Sequence, residues 1–152
     1  QRLGNSTSCC TSSYLLVGAK GYSEVFWKKI QDEFRLDTEI AQHLARQYGS
    51  RAMIVAELAR SNPDLKCKIA EGFPYILAEV VYAVRSELAC TLRDVLARRL
   101  RLEVLDWSAT VQAAPKVAEL LAEELNWDDD YQRAELQTYQ ELLHNCQSRI
   151  AT

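Results

Sequence analysis

A chain of 152 residues, 48% hydrophobic and 26% charged, is long enough for one domain with a real core and too apolar for a disordered segment. Its net charge of −3 supplies no bulk attraction to nucleic acid or to an anionic membrane. Charges interrupt every apolar run, of which Ala109 to Pro115 is typical, so no segment is expected to span a bilayer. The chain starts with Gln1 and shows no basic stretch followed by an apolar one, so it reads as a piece of a longer protein.

Residues 1–13 are rich in Ser, Thr, Asn and Gly and read as an extended lead-in. Tyr14-Leu15-Leu16-Val17 suits a short strand or a packed extended piece, closed by Gly18-Ala19-Lys20-Gly21. The pattern then becomes helical. Ser23 is placed to cap a helix burying Phe26, Ile30 and Phe34. Asp37 opens a second with Ile40, Leu44 and Tyr48 on one face, stopped by Gly49. Ser50 opens a third carrying Ala52, Val55 and Ala59, and Asn62-Pro63-Asp64 is a turn. Residues 65–74 are irregular, with an alternation of Lys66 and Lys68 against Leu65, Cys67 and Ile69 that would also suit a short strand.

Helical spacing resumes at Ile76 with Val80, Val84 and Leu88. Thr91 and Asp94 form a capping-box-like pair, with Asp where Glu or Gln is usual, ahead of Leu92, Val95 and Leu96 facing inward. Asp106 opens a helix through Trp107, Val111, Ala114, Ala118, Leu121 and Leu125, which Pro115 should kink or restart. Asp128 caps the last helix, with Leu136, Tyr139, Leu143, Cys146 and Ile150 aligned. The expectation is an all-α fold, a single compact multi-helix domain of about seven helices and at most two short strands. Residues 1–19 form the lead-in and 20–152 the helical domain.

The chemistry-bearing residues do not assemble into a site in the sequence. His43 and His144 stand alone on separate helices, outside any metal-binding spacing. Cys9, Cys10, Cys67, Cys90 and Cys146 are odd in number and lack a C-x-x-C, which points to free thiols. The five glycines form no phosphate loop, and the dinucleotide fingerprint is missing. The acidic run Asp128 to Asp130 complements a helix dipole without needing a metal. Trp27, Trp107 and Trp127 sit at helical spacings that suit core anchors better than a ligand pocket. The basic cluster Arg93, Arg98, Arg99 and Arg101 reads as a charged helix face, with Asp94 four residues before Arg98 and Arg99 four before Glu103. A nucleic-acid role is disfavoured by the weak charge and the absence of a recognition motif. Contact between Arg98, Arg99 and another domain fits the planar fork of arginine.

One stretch is more specific. Phe73-Pro74-Tyr75-Ile76-Leu77-Ala78-Glu79-Val80-Val81-Tyr82-Ala83-Val84-Arg85 resembles the C-terminal domain of FAD-dependent glycerol-3-phosphate dehydrogenases. Glu87-Leu88-Ala89-Cys90-Thr91, Asp94-Val95-Leu96-Ala97-Arg98-Arg99, Ala113-Ala114-Pro115 and Glu123-Glu124-Leu125-Asn126-Trp127 follow in the family's order. Cys9-Cys10-Thr11, Gln42-His43-Leu44-Ala45 and Tyr48-Gly49 match upstream, so the likeness runs from about Cys9 to about His144. Leu100 stands where the family usually has Thr, the segment from Ser61 to Gly72 matches poorly, and no EF-hand extension follows.

The resemblance implies a parent enzyme that oxidises sn-glycerol 3-phosphate to dihydroxyacetone phosphate with FAD and passes electrons to quinone. FAD and the substrate phosphate would be held by the N-terminal portion, so no catalytic, cofactor-binding or metal-binding residue is assigned here and the isolated chain is expected to be inactive. This domain would cap the FAD-binding domain of the same protein, with Glu79, Arg98 and Arg99 as the candidate residues fixing helix packing or the domain contact. Membrane association would come only through the parent. The segment Glu87 to Thr91 leans toward mitochondrial members, which implies an inner-membrane-associated enzyme in a eukaryote and a cytoplasmic-membrane-associated one in a bacterium. The alternative is a stand-alone helical interaction module using the Arg98–Arg101 face.

Overall fold

The computed structural model describes residues 10–150, with side chains to residue 146. Seven α-helices run among the described residues: α1 (Phe26–Phe34), α2 (Thr38–Tyr48), α3 (Ala52–Ser61), α4 (Leu77–Glu87), α5 (Leu102–Leu105), α6 (Trp107–Leu125) and α7 (Asp129–Ile150). Short 3-10 turns at Gly49–Arg51 and Pro63–Lys66 and a π-helical turn at Asp94–Arg99 join them. No helix of the described residues is long and apolar enough to cross a membrane.

The helix starts follow from short polar side chains that take up free backbone donors. Asp106 Oδ1 accepts from the Ala109 amide at 2.9 Å and Asp128 Oδ1 from the Tyr131 amide at 2.7 Å. Asn62 Oδ1 accepts from the Asp64 amide at 3.1 Å and fixes the turn before α4. Asp37 sits at the start of α2 without a side-chain cap bond, and Ser23 does not cap α1, which begins at Phe26 after a turn closed by the Ser23 carbonyl.

Helix α4 is the hub. It packs against α3 and α6, while α1 packs on α2 and α7 on α6. Six consecutive residues after its first, Ala78 to Ala83, are buried, so it is enclosed on all sides. Ile30, Leu44, Val55, Ile76, Val80, Leu92, Leu96, Leu102 and Leu121 form one continuous core with it. Ile30 and Phe34, Ile40, Leu44 and Tyr48, and Ala52, Val55 and Ala59 all face that core, as their spacing predicts.

Several local expectations are corrected, among them Leu88 and Val111, which spacing aligned with the inward faces of α4 and α6 and which are 84% and 42% exposed. Tyr14–Val17 forms neither a strand nor a packed piece; all four side chains are exposed, because no partner strand lies beside them among the described residues. The irregular stretch carries a single antiparallel bridge, Lys68 with Ile76, flanked by bonds from the Ile69 amide to the Tyr75 carbonyl and from the Leu77 amide to the Cys67 carbonyl. Pro115 does not restart α6, which runs on to Leu125. Both Pro115 and Val111, whose carbonyl loses its donor, lie on the exposed side, where water can replace the missing bond. Residues 1–9, including Cys9, and the side chain of Ile150 lie outside the described part.

Gly18 fastens the lead-in to the helical domain. The Ser50 amide donates to the Gly18 carbonyl at 2.8 Å, and the two backbones pass so closely that a Cβ on Gly49 would lie 2.3 Å from the Gly18 oxygen. Gly49 also has φ +57° and ψ −134°, which side chains adopt at a cost of about 1–3 kcal/mol. Gly72 has a positive φ too, but a Cβ there meets nothing within 4 Å. Gly49→Ala should therefore destabilise the fold by more than Gly72→Ala, at least about 1–3 kcal/mol, and detach residues 10–18; equal losses in paired chemical melts would show that the crossing carries no weight.

Candidate functional site

The first candidate residue, Glu79, lies inside the domain with no exposed surface. It occupies the first turn of α4, three residues after Ile76, and its Oε2 accepts from the Ile76 amide at 2.8 Å. Its Oε1 accepts from the Tyr48 hydroxyl at 3.0 Å and meets His43 Nε2 at 2.7 Å. A buried carboxylate thus gains three partners and the positive end of the α4 dipole, the conditions under which burial of a charge is tolerated. Burial, with the Glu79 charge beside it, pushes the Tyr48 phenol far above its ordinary value, so Tyr48 stays a proton donor. The ring of Tyr82 packs edge-on against Tyr48 at 5.1 Å, and its hydroxyl accepts from Arg51 at 3.2 Å. Glu79 joins α2 to α4 within this domain and presents nothing to a neighbour.

His43 is therefore not alone. Its ring is nearly enclosed, bonded to Glu79 and set edge-on to Tyr75 at 4.9 Å. The sequence held one signal for this cluster: an acid in the third position of an apolar helix, where it can bond back to the start. The two partners on α2 carry no local signal, because they meet Glu79 only through tertiary packing.

Arg98 and Arg99 sit in the π-helical turn, where the Leu100 amide reaches back five residues to the Val95 carbonyl at 2.9 Å. Thr91 Oγ1 accepts from the Asp94 amide at 3.1 Å, and Asp94 Oδ2 accepts from the Cys90 amide at 3.1 Å, one residue before the position a capping box would use. Arg98 is exposed and pairs with Asp94, as their spacing predicts. Arg99 does not pair with Glu103. Its Nε lies 3.1 Å from Glu87 Oε2, its Nη2 donates to the Glu87 carbonyl at 2.7 Å, and its own carbonyl accepts from Gln47 at 3.2 Å. Glu103 instead accepts from the Tyr139 hydroxyl at 2.8 Å, with Arg93 at 3.6 Å. The chain turns between them: Arg101 is left-handed, with φ +59°, so Glu103 lies on a separate helix, α5, off the face that carries Arg99. Leu100, where the resembling family has Thr, is buried in the domain's own core.

The remaining candidates stay apart. His144 is exposed on α7. Cys10, Cys67, Cys90 and Cys146 are unbridged. Among the described residues no group of three His, Cys, Asp or Glu could hold a metal ion. Trp27 and Trp127 pack half-buried against the core, and Trp27 also borders an open depression with Tyr22, Glu24, Gln42 and Arg46.

Residues 9–132 match the family described as the C-terminal domain of alpha-glycerophosphate oxidase. The chain is 38% identical over 141 residues to a protein of Dictyostelium discoideum named probable glycerol-3-phosphate dehydrogenase, mitochondrial, covering 93% of this chain and 22% of that one. It is 38% identical to the mitochondrial glycerol-3-phosphate dehydrogenase of Bos taurus and 37% identical to that of Homo sapiens, each over 138 residues, 88% of this chain and 19% of theirs. The chain thus spans about a fifth of the length of these curated relatives. No solved structure matches.

Two outcomes test the geometry. Glu79→Gln should cost about 1–3 kcal/mol by leaving a buried donor unmet, and Glu79→Ala should cost about 3–5 kcal/mol by leaving His43 and Tyr48 unpaired; urea unfolding that ranks Ala at or below Gln would contradict the three-bond account. For Asp94, burial alone would raise the pKa, but bonds from Cys90, Thr91 and Arg98 outweigh it and hold the carboxyl below its ordinary 3.8. A lowered folded-state value means stability that is present above the unfolded value and lost as pH falls past it. Asp94→Asn should therefore narrow the difference from the unmodified chain below about pH 4, read as melting temperature against pH.

Proposed function

Because this chain belongs to the family of alpha-glycerophosphate oxidase C-terminal domains, we infer that it is the helical end of a flavoprotein that oxidises sn-glycerol 3-phosphate to dihydroxyacetone phosphate. FAD would be the redox group of that parent enzyme and quinone its electron acceptor. The observation that carries this reading is the match of residues 9–132 to that domain, together with relatives named glycerol-3-phosphate dehydrogenase of which the chain covers only about a fifth. A mitochondrial location follows the names of those relatives, and a quinone acceptor would put the parent at the inner membrane.

The residues here do not fit a flavin. Among the described residues no glycine stands between a strand and a helix N-terminus, the arrangement that lets backbone amides approach a pyrophosphate. No step of the oxidation is therefore assigned to this chain. Its own work is mechanical: Glu79 locks α2 to α4, and the turn bearing Arg98 and Arg99 is held against α2 and α4 by Gln47 and Glu87. That fixes a rigid surface for packing on the FAD-binding domain, with Arg98 and Arg99 as contact residues.

The test compares two preparations. The parent enzyme should carry stoichiometric flavin by absorbance and reduce an artificial acceptor with glycerol 3-phosphate. The 152-residue chain should be colourless and inert. Stoichiometric flavin on the short chain, or a parent without it, would refute the assignment.

A further inference from the structure

The end of the domain where α2 and α4 finish holds exposed apolar side chains beside a surplus of arginine. Tyr14, Leu15, Leu16 and Val17 are each between 65% and 78% exposed, an unbroken apolar run. Leu88 is 84% exposed, and it holds φ +57°, a left-handed conformation that a branched side chain adopts at a cost. Leu88 ends α4 in that conformation, and its side chain adds to the exposed apolar surface.

Contacts place these features at one end. Gly18, directly after Val17, crosses Gly49 and bonds Ser50. Gln47, two residues before Gly49, bonds the Arg99 carbonyl. Arg99 bonds Glu87, the neighbour of Leu88. Arg51, Arg98, Arg99 and Arg101 lie in this set against the carboxylates Glu87 and Asp94, a local excess of positive charge in a chain of net −3. Arg101 makes no ion pair among the described residues and, like Leu88, has a positive φ of 59°. The two arginines of the π turn belong to a helix distortion of the kind that recurs at functional sites.

We propose that this end, formed by Tyr14–Val17, Leu88 and the Arg98–Arg101 turn, docks on the polypeptide that precedes the domain in the parent enzyme. The occupant offers an apolar seat for the lead-in and carboxylates facing Arg98 and Arg101. Three observations select it over a second copy or an unrelated protein. The matched family is a C-terminal domain and the relatives are about five times longer, so most of their chain lies outside this match. The apolar run is the covalent link toward that chain. The positive excess calls for an acidic partner, which this end of a second identical domain would not supply. The proposal rests on the parent-enzyme reading and adds the surface and the chemistry of its partner.

The experiment uses the full-length parent enzyme and hydrogen–deuterium exchange read by mass spectrometry. Amides of residues 14–17 should exchange at least ten-fold more slowly than the unstructured rate of their sequence. Leu88→Asp and Arg101→Glu should each raise exchange at 14–17 by ten-fold or more. Val111→Asp, at an exposed apolar site on α6, should leave it unchanged. Exchange of 14–17 at the unstructured rate overturns the proposal. So does protection that vanishes on dilution together with a dimer, which would assign the face to a second copy, and so does equal sensitivity to Val111→Asp. Bound flavin and glycerol 3-phosphate turnover in the same samples report separately: a parent that keeps both while 14–17 stays unprotected defeats the docking surface alone.

Discussion

A single buried carboxylate sets the arrangement of this domain. Glu79 has no exposed surface, so each of its oxygens must find donors in the protein. One oxygen takes the amide that starts its own helix; the other takes a tyrosine and a histidine from a helix more than thirty residues earlier. The requirement works in both directions. Helix α4 cannot slide along α2 without stranding a charge, and α2 cannot turn about its axis without taking His43 and Tyr48 away together. Apolar packing around α4 tolerates modest shifts; the hydrogen bonds do not, so they fix the register of the two central helices.

From that register the outer parts take their places. Arg85 forms a two-pronged bond to Glu124, with both distances 2.6 Å, and ties α4 to α6 at the surface. Glu135 on α7 accepts the Leu92 amide at 3.0 Å, so the last helix also steadies the connection after α4. Burial and the bond to Glu103 raise the Tyr139 phenol well above its ordinary range and keep its proton available for α5. The periphery is thus a series of polar fasteners on a core already located by Glu79.

Much of this was legible in the residues. Binary periodicity placed the inward faces of α1, α2 and α3, and of α6 apart from Val111, because each is amphipathic and takes its burial from one side. Asp106 and Asp128 announced their helices because capping is a local interaction. Tyr14–Val17 misled for the opposite reason: strand pairing is non-local, and four apolar residues in a row say only that something should cover them. The π turn was hidden as well. Its sequence satisfies an α-helix, with Leu92, Val95 and Leu96 buried as that reading expects. Arg98 found its partner by spacing, whereas Arg99 did not, since the left-handed Arg101 puts Glu103 on the next helix and spacing rules hold only within one. Glu79 was picked out through a family likeness; its burial and its histidine partner belong to tertiary structure and have no local signature.

The glycine crossing at residues 18 and 49 gives the domain a defined point of mechanical attachment. A pull along residues 14–17 cannot be spread over a broad packed surface, because their side chains are exposed. It converges on the bond between Gly18 and Ser50. The next side chain back along that backbone is Tyr48, whose hydroxyl holds Glu79. Force arriving from outside the domain therefore meets the buried carboxylate within a few covalent steps. A lead-in that pulls is felt first at the junction of α2 and α4, and last in α7.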